Sequence, residues 1–285
     1  MPHYECSGPV EVDIDVAVGF AEVTAAGDGE VVVTVTPTVA GRPGDVSLAA
    51  ATDVSFTAGR LRVRVPRRLN LFGQSDSVDV HVQAPAASRV ALTSSSGSFR
   101  GRGDLGDVRI EAKHGNVTLD TVADLTLDSR HGAVEVAEVT GRADVTAGHG
   151  HVRIERVGGD TTVRAAHGAV EFGTTCGSVD VTTSGPLTVD RALGGVRARS
   201  AHGTLRVREA VGGAVHLQNS YGGVEVGVPA GTAAWIDAAS THGAVRNELT
   251  PDPGAASSER AVELHLRADW ADVVVRRSRP AVPVG

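Results

Sequence analysis

Glycine returns along the middle of this chain at a nearly fixed interval. Gly97, Gly115, Gly132, Gly150, Gly168, Gly185 and Gly203 are separated by 18, 17, 18, 18, 17 and 18 residues, and the series continues loosely through Gly222 and Gly243. A period of this length marks a stacked repeat, and any fold proposed for the chain has to accommodate it. Apolar residues keep the same phase. Counting from Gly132, Val134, Val136 and Val139 follow at two, four and seven, then Ala143, Val145 and Ala147 at eleven, thirteen and fifteen. From Gly150 those places hold Val152, Ile154, Val157, Thr161, Val163 and Ala165; from Gly168 they hold Val170, Phe172, Thr175, Val179, Val181 and Thr183.

Alternation at a period of two, twice per repeat, reads as two short strands with one buried and one wet face. The predicted fold is therefore an all-β solenoid, or β-helix, with two-strand coils of about 18 residues. One turn falls at the His-Gly step, so that Gly115, Gly132, Gly150, Gly168 and Gly203 are structural turn residues. The other falls near Gly141, Gly158, Gly177, Gly194 and Gly212. Glu135, Arg153, Glu155, Glu171, Asp180, Arg206 and Arg208 lie between the apolar places and should face water. One coil alone buries too little to hold itself, so stability must be shared along the stack. At roughly 4.8 Å per coil, the stretch from Gly97 to Gly243 predicts about eight coils and a rod on the order of 40 Å.

The chain divides into three segments on this reading: 1–92, 93–247 and 248–285. The first keeps strand alternation at 10–18, 31–36, 61–65 and 78–82 but without the short period, and serves as an irregular cap on an otherwise exposed solenoid edge. Asp45 is expected to cap a short helix over 46–51 by accepting from its first-turn amides. In the last segment 250–260 reads as an exposed loop, followed by a closing strand pair at 262–266 and 273–275. Trp235 and Trp270, the only tryptophans, are expected to cover the last coil.

Charge and cysteine usage exclude several classes. With 27 basic and 34 acidic residues, and Lys113 the only lysine, a general nucleic-acid surface is not expected. Arg60, Arg62, Arg64, Arg67 and Arg68 form a local basic run, but the first three alternate with Leu61, Val63 and Val65 and read as the wet face of a strand. Met1 to Val10 carries no basic segment followed by an apolar stretch, and no 18-residue apolar run occurs, so a cytoplasmic chain without a membrane span is expected. Cys6 and Cys176 form no framework pattern and read as reduced thiols.

The repeat, the segment Gly231-Thr-Ala-Ala-Trp235-Ile-Asp237, the run Val262-Glu-Leu-His-Leu266 and the run Asp272-Val-Val-Val-Arg-Arg277 together resemble the bacterial putative-adhesin family of β-strand-repeat proteins, a domain family common in actinobacteria. The likeness spans nearly the whole chain. It implies a β-solenoid and carries over no catalytic residues.

His114, His131, His149 and His167 each precede a repeat glycine in four successive coils; His202 and His242 recur later, with Ser184 and Tyr221 in the equivalent place between them. In register, neighbouring imidazoles would lie about 5 Å apart. Two readings follow. His-Gly can act as a turn pair in the manner of Asn-Gly, with His at positive φ, or the paired imidazoles can ligate zinc, copper or nickel. In either case protonated neighbours would repel by about 0.8 kcal/mol in water, so acid should load the ladder unfavourably.

Nucleotide-binding glycine motifs, HExxH and a calcium-binding GGxGxD repeat are all missing. A carbohydrate-active β-helix enzyme would need two carboxylates on one cleft, whereas Glu135, Glu155 and Glu171 are spread along the stack. The expectation is thus a non-catalytic structural or binding solenoid, adhesin-like, without a cofactor. Its partner would be a protein or a glycan, with self-association as a variant; the alternative is a metal-binding protein using the histidine ladder.

Overall fold

The computed structural model describes residues 2–26, 29–67, 75–249 and 261–278. Apart from one helix, Pro43–Ala50, its regular elements are strands. They fall into two compact units, Met1–Gly141 and Arg142–Gly285.

In the first unit the strands Phe99–Leu105, Val117–Val122 and Val134–Val139 run parallel in one sheet. Val117 sits opposite Val134, Leu119 opposite Val136 and Val122 opposite Val139. Arg89–Ser96, Val108–His114 and Leu125–His131 form the parallel sheet that faces it, with His114 in register with His131. The second unit repeats the plan. Ala143–His149, Thr161–His167, Val179–Thr183, Val196–Ser200 and Gly213–Asn219 stack in one sheet, and Val152–Val157, Val170–Thr175, Leu187–Ala192, Leu205–Ala210 and Val224–Val228 in the other. Val152, Val170 and Leu187 stand in one column. The inward places are buried as the alternation requires, whereas Glu135, Arg153, Glu155, Glu171, Asp180 and Arg208 are exposed and Arg206 half-buried.

The glycine spacing has a steric cause. Gly132 lies at φ +136°, and a Cβ there would stand 2.0 Å from the carbonyl oxygen of Gly115; at Gly168, φ +124°, it would stand 1.9 Å from that of Gly150. Backbone packs on backbone at this corner, so the central coils from Gly115 to Gly203 each supply a residue without a side chain. Gly115 and Gly150 share the positive φ. Gly203 does not, yet a Cβ there would meet Pro186 N at 2.0 Å. The turn reading of the histidines is corrected accordingly. Among the described residues only Ala58 and Ala87 combine a side chain with positive φ; His114, His131, His149 and His167 end extended strands, and the glycine alone carries the left-handed conformation.

The first segment contains a coil of its own. Glu11–Ala25 is a complete coil, bent at Gly19 (φ +141°). Its first half lies between Arg60–Arg64 and Arg89–Ser96, and its second between Val78–Ala84 and Phe99–Leu105. Its phase relative to Gly19 is that of the later repeats, with Val12, Ile14 and Val16 before the glycine and Ala21 and Val23 after it. Antiparallel strands then cover the edge: Asp53–Thr57 pairs with Arg60–Arg64, Glu30–Pro37 with Val78–Ala84, and His3–Glu5 with Glu30–Pro37. Such pairing hides strand amides that would otherwise template another chain.

Asp45 does not cap its helix. The helix begins at Pro43 behind Arg42, and Asp45, inside the first turn and fully buried, accepts instead from the amides of Val39 (3.1 Å) and Ser77 (3.0 Å). The Ser77 amide, working against the cost of burial and helped by the Val39 amide and Arg42, holds this carboxyl below its ordinary range.

The C-terminal strands close the chain in sequence but not in space. Ala261–Ala268 lies between Gly213–Asn219 and Ala233–Ser240, and Val273–Arg277 between Val224–Val228 and Val245–Asn247. The segment thus enters one coil in from the end of the stack. The loop expected at 250–260 and Arg68 lie outside the described residues.

Candidate functional site

The corner that follows the first sheet of each coil carries the histidines, because the residue before the packed glycine is the last of its strand and points out. His114 and His131 stack with ring centroids 4.8 Å apart and planes 4° apart; His149 and His167 do so at 4.9 Å and 18°. A metal bound to an imidazole lies in the plane of the ring, and two nearly parallel planes share no such point, so as placed neither pair chelates one ion. Among the described residues no group of three or more His, Cys, Asp or Glu is disposed around a common metal position.

Further along, larger rings take over the same corner. His202 stacks on Tyr221 (5.2 Å, 13°) and His242 on Trp270 (3.8 Å, 16°). Tyr221 and Trp270 hold corresponding places on neighbouring coils, since Asn219 is in register with Ala268 and the Trp270 amide donates to the Ser220 carbonyl. Trp235 lies apart from them, at the other end of these strands in register with Glu263, and is tilted 55° against His265 at 5.1 Å. The tryptophans do not bury themselves over the last coil as expected from the sequence: Tyr221, Trp235 and Trp270 are 59 %, 57 % and 58 % exposed. The second unit's end therefore presents three large aromatics to solvent.

The backbone beneath this corner is tied down. The buried Asn219 amide donates to the carbonyls of Gly203 (2.5 Å) and Gly223 (3.3 Å) and accepts from the Gly222 amide (3.2 Å). Ser240 donates to the Ala271 carbonyl and accepts from Gly243. These residues occupy the inward place that Ala147 and Ala165 fill in earlier coils, and exchange a methyl for corner hydrogen bonds.

Two of the acids weighed for hydrolysis, Glu155 and Glu171, are engaged with arginine. Arg153 lies 2.6 Å from Glu155 and 3.5 Å from Glu171. Glu225 meets Arg206 through both oxygens, at 2.9 and 3.0 Å, and that hydrogen bonding holds its carboxyl below the ordinary range. Arg60 pairs with Glu11, and Arg64 with Asp13 and Asp15, as the wet-face reading of that strand requires. Cys6 and Cys176 are free thiols. Among the described residues no helix is long and apolar enough to cross a membrane.

Two histidines escaped the sequence reading. His216 and His265 stack at 4.4 Å and 4° on the outer face of the first sheet. They stand 49 positions apart, outside the repeat period, because the chain completes another coil before its tail threads back between the two; periodicity carries no signal for that pairing.

A family described as Toastrack DUF4097 matches residues 28–192, the head and the repeat that carried part of the resemblance. No curated protein matches the chain. Among solved structures, a putative adhesin of Bacteroides fragilis aligns over 96 % of this chain and 95 % of its own at 9 % identity and a TM-score of 0.42. A putative lipid binding protein of Parabacteroides distasonis aligns over 96 % and 95 % at 12 % identity and 0.44. A putative adhesin of Parabacteroides merdae covers 95 % and 94 % at 8 % identity and 0.31.

Proposed function

The chain belongs to the Toastrack DUF4097 family, and we propose that it is a non-catalytic binding module whose contact surface is the aromatic corner of the second unit and whose partner is a glycan. The observation that carries this reading is the exposure of Tyr221 and Trp270 on neighbouring coils, each backed by a stacked imidazole, in a chain with only two tryptophans and two tyrosines. Large exposed aromatic clusters mark interaction sites, because each ring left in water forgoes the burial that would stabilise the fold. The rings alternate apolar faces with indole, phenol and imidazole donors, which suits a sugar with C–H faces and a hydroxyl rim. The hydrogen-bonded corner below them is rigid, so little ordering cost falls on binding.

A glycan array probed with the full chain, followed by titration of the retained sugars, tests the reading. Trp270 lies in the surface, so in a Trp235→Phe background quenching or a blue shift of its fluorescence reports binding there. Trp270→Ala should weaken binding by about tenfold or more, as expected of a central aromatic contact, while the unfolding midpoint stays near that of the parent. An array without retained sugars, or binding indifferent to Trp270→Ala and Tyr221→Ala, would overturn it.

A further inference from the structure

We propose that the outer face of the second unit binds a phosphoryl group, free or lipid-borne, in a groove lined by Arg197, Arg199, His216, Gln218, His265 and Arg267. Three adjacent strands each contribute two of these residues: Arg197, His216 and His265 stand in one row, and Arg199, Gln218 and Arg267 in the next. The groove has a volume of about 340 Å³, and no carboxylate lines it.

Two of its three arginines are unlike their neighbours. In this unit Arg153, Arg164, Arg191, Arg206 and Arg208 each meet a carboxylate within 3.5 Å. Arg197 and Arg199 meet none among the described residues, although Asp180 is in register with Arg197 on the next strand. Arg267 is held in place by Asp237, at 2.5 Å, and Asp237 also lies 3.6 Å from His265. Two free guanidinium forks beside fixed donors are suited to a multiply charged tetrahedral anion, which takes paired N–H bonds.

His216 gives independent support. Burial, then the charges of His265 and Arg197, depress its pKa, and Glu263 only partly opposes them. The groove thus repels a further proton, and a bound anion would relieve that repulsion. Anion binding and protonation of His216 should therefore help one another, and that coupling falls below the ordinary histidine value of about 6.5. The carboxylates that could counter this trend are Asp180, Asp237 and Glu263.

Inorganic phosphate added to the full chain at constant ionic strength, followed through the imidazole signals of His216 and His265, is the test. A saturable shift, weakened about tenfold or more in the Arg197→Ser/Arg199→Ser variant, supports the site. Both side chains are exposed, so the variant should keep the parent's unfolding midpoint. Co-sedimentation with phosphatidylcholine vesicles, with and without phosphatidic acid, identifies the source. Capture by the acidic vesicles and release by phosphate assign a lipid headgroup, and phosphate binding without capture assigns a soluble phosphoryl ligand. The proposal is overturned if chloride at equal ionic strength produces the same shifts, if neither probe binds, or if the double variant binds unchanged. The aromatic corner is untouched by these substitutions, so sugar binding and phosphate binding can fail separately.

Discussion

Gly132 is required for the Cβ it lacks. A methyl at its φ of +136° would press into the Gly115 carbonyl, so Gly132→Ala should cost about 3 kcal/mol or more in urea unfolding. Gly8→Ala, where no atom lies within 4 Å of the new carbon, should stay within about 0.5 kcal/mol of the parent. The opposite sign is expected at Thr175. Its fully buried hydroxyl has no hydrogen-bond partner, and it stands between Val157 and Ala192 in the same column. Thr175→Val should raise stability by about 1 kcal/mol, the cost of an orphaned polar group removed. Asp45 adds a dependence on pH. Its folded pKa is lowered, so its contribution is present above the ordinary aspartate range and is lost as pH falls through the folded value. Asp45→Asn should therefore destabilise the protein at pH 7, and the difference in unfolding free energy should close in acid below that point.

Two strand segments are held between coils formed elsewhere in the sequence. Glu11–Ala25 has partners on both edges in the first unit, and residues 261–277 have them in the second. A terminal segment that pairs on both sides cannot fray one hydrogen bond at a time. Deleting residues from 250 onward should strip Ala233–Ser240 of its strand partner, and amide exchange over 235–239 should then rise to the rate of an open loop while Val179–Thr183 stays protected. Protection unchanged at 235–239 would mean that Gly213–Asn219 closes on it directly. The glycine period made the central coils legible, because a corner that excludes Cβ leaves a mark at every turn. The coil at 11–25 carries the same apolar phase around Gly19, but with no neighbour one period away it reads as ordinary alternation. The tail at 262–275 shares the phase too, with Ala271 in the glycine's place, and so lost the mark by which its coil would be recognised.

The net charge of −7 is spread over ladders in which arginine on one coil meets a carboxylate on the next, as in Arg206 with Glu225, Arg191 with Glu209 and Arg164 with Asp144. Exposed pairs of this kind contribute about 0–1 kcal/mol each. Raising salt from ~0.1 M to ~1 M, where screening shortens from ~10 Å to ~3 Å, should thus shift the urea midpoint only slightly downward. Collapse in high salt would place the stability in the ion pairs instead of the apolar columns. What the residues dictate from end to end is local: alternation sets which side chains turn inward, and steric exclusion at the corner sets the coil length. Folding added the order in which coils lie against one another. Strand pairing depends on backbone hydrogen bonds that every residue but proline can make on both sides, so nothing in residue identity says that the tail enters beside 213–228, or that His216 meets His265. For the same reason the exposed rings and the unpaired arginines came together only when segments distant in the chain became neighbours in a sheet.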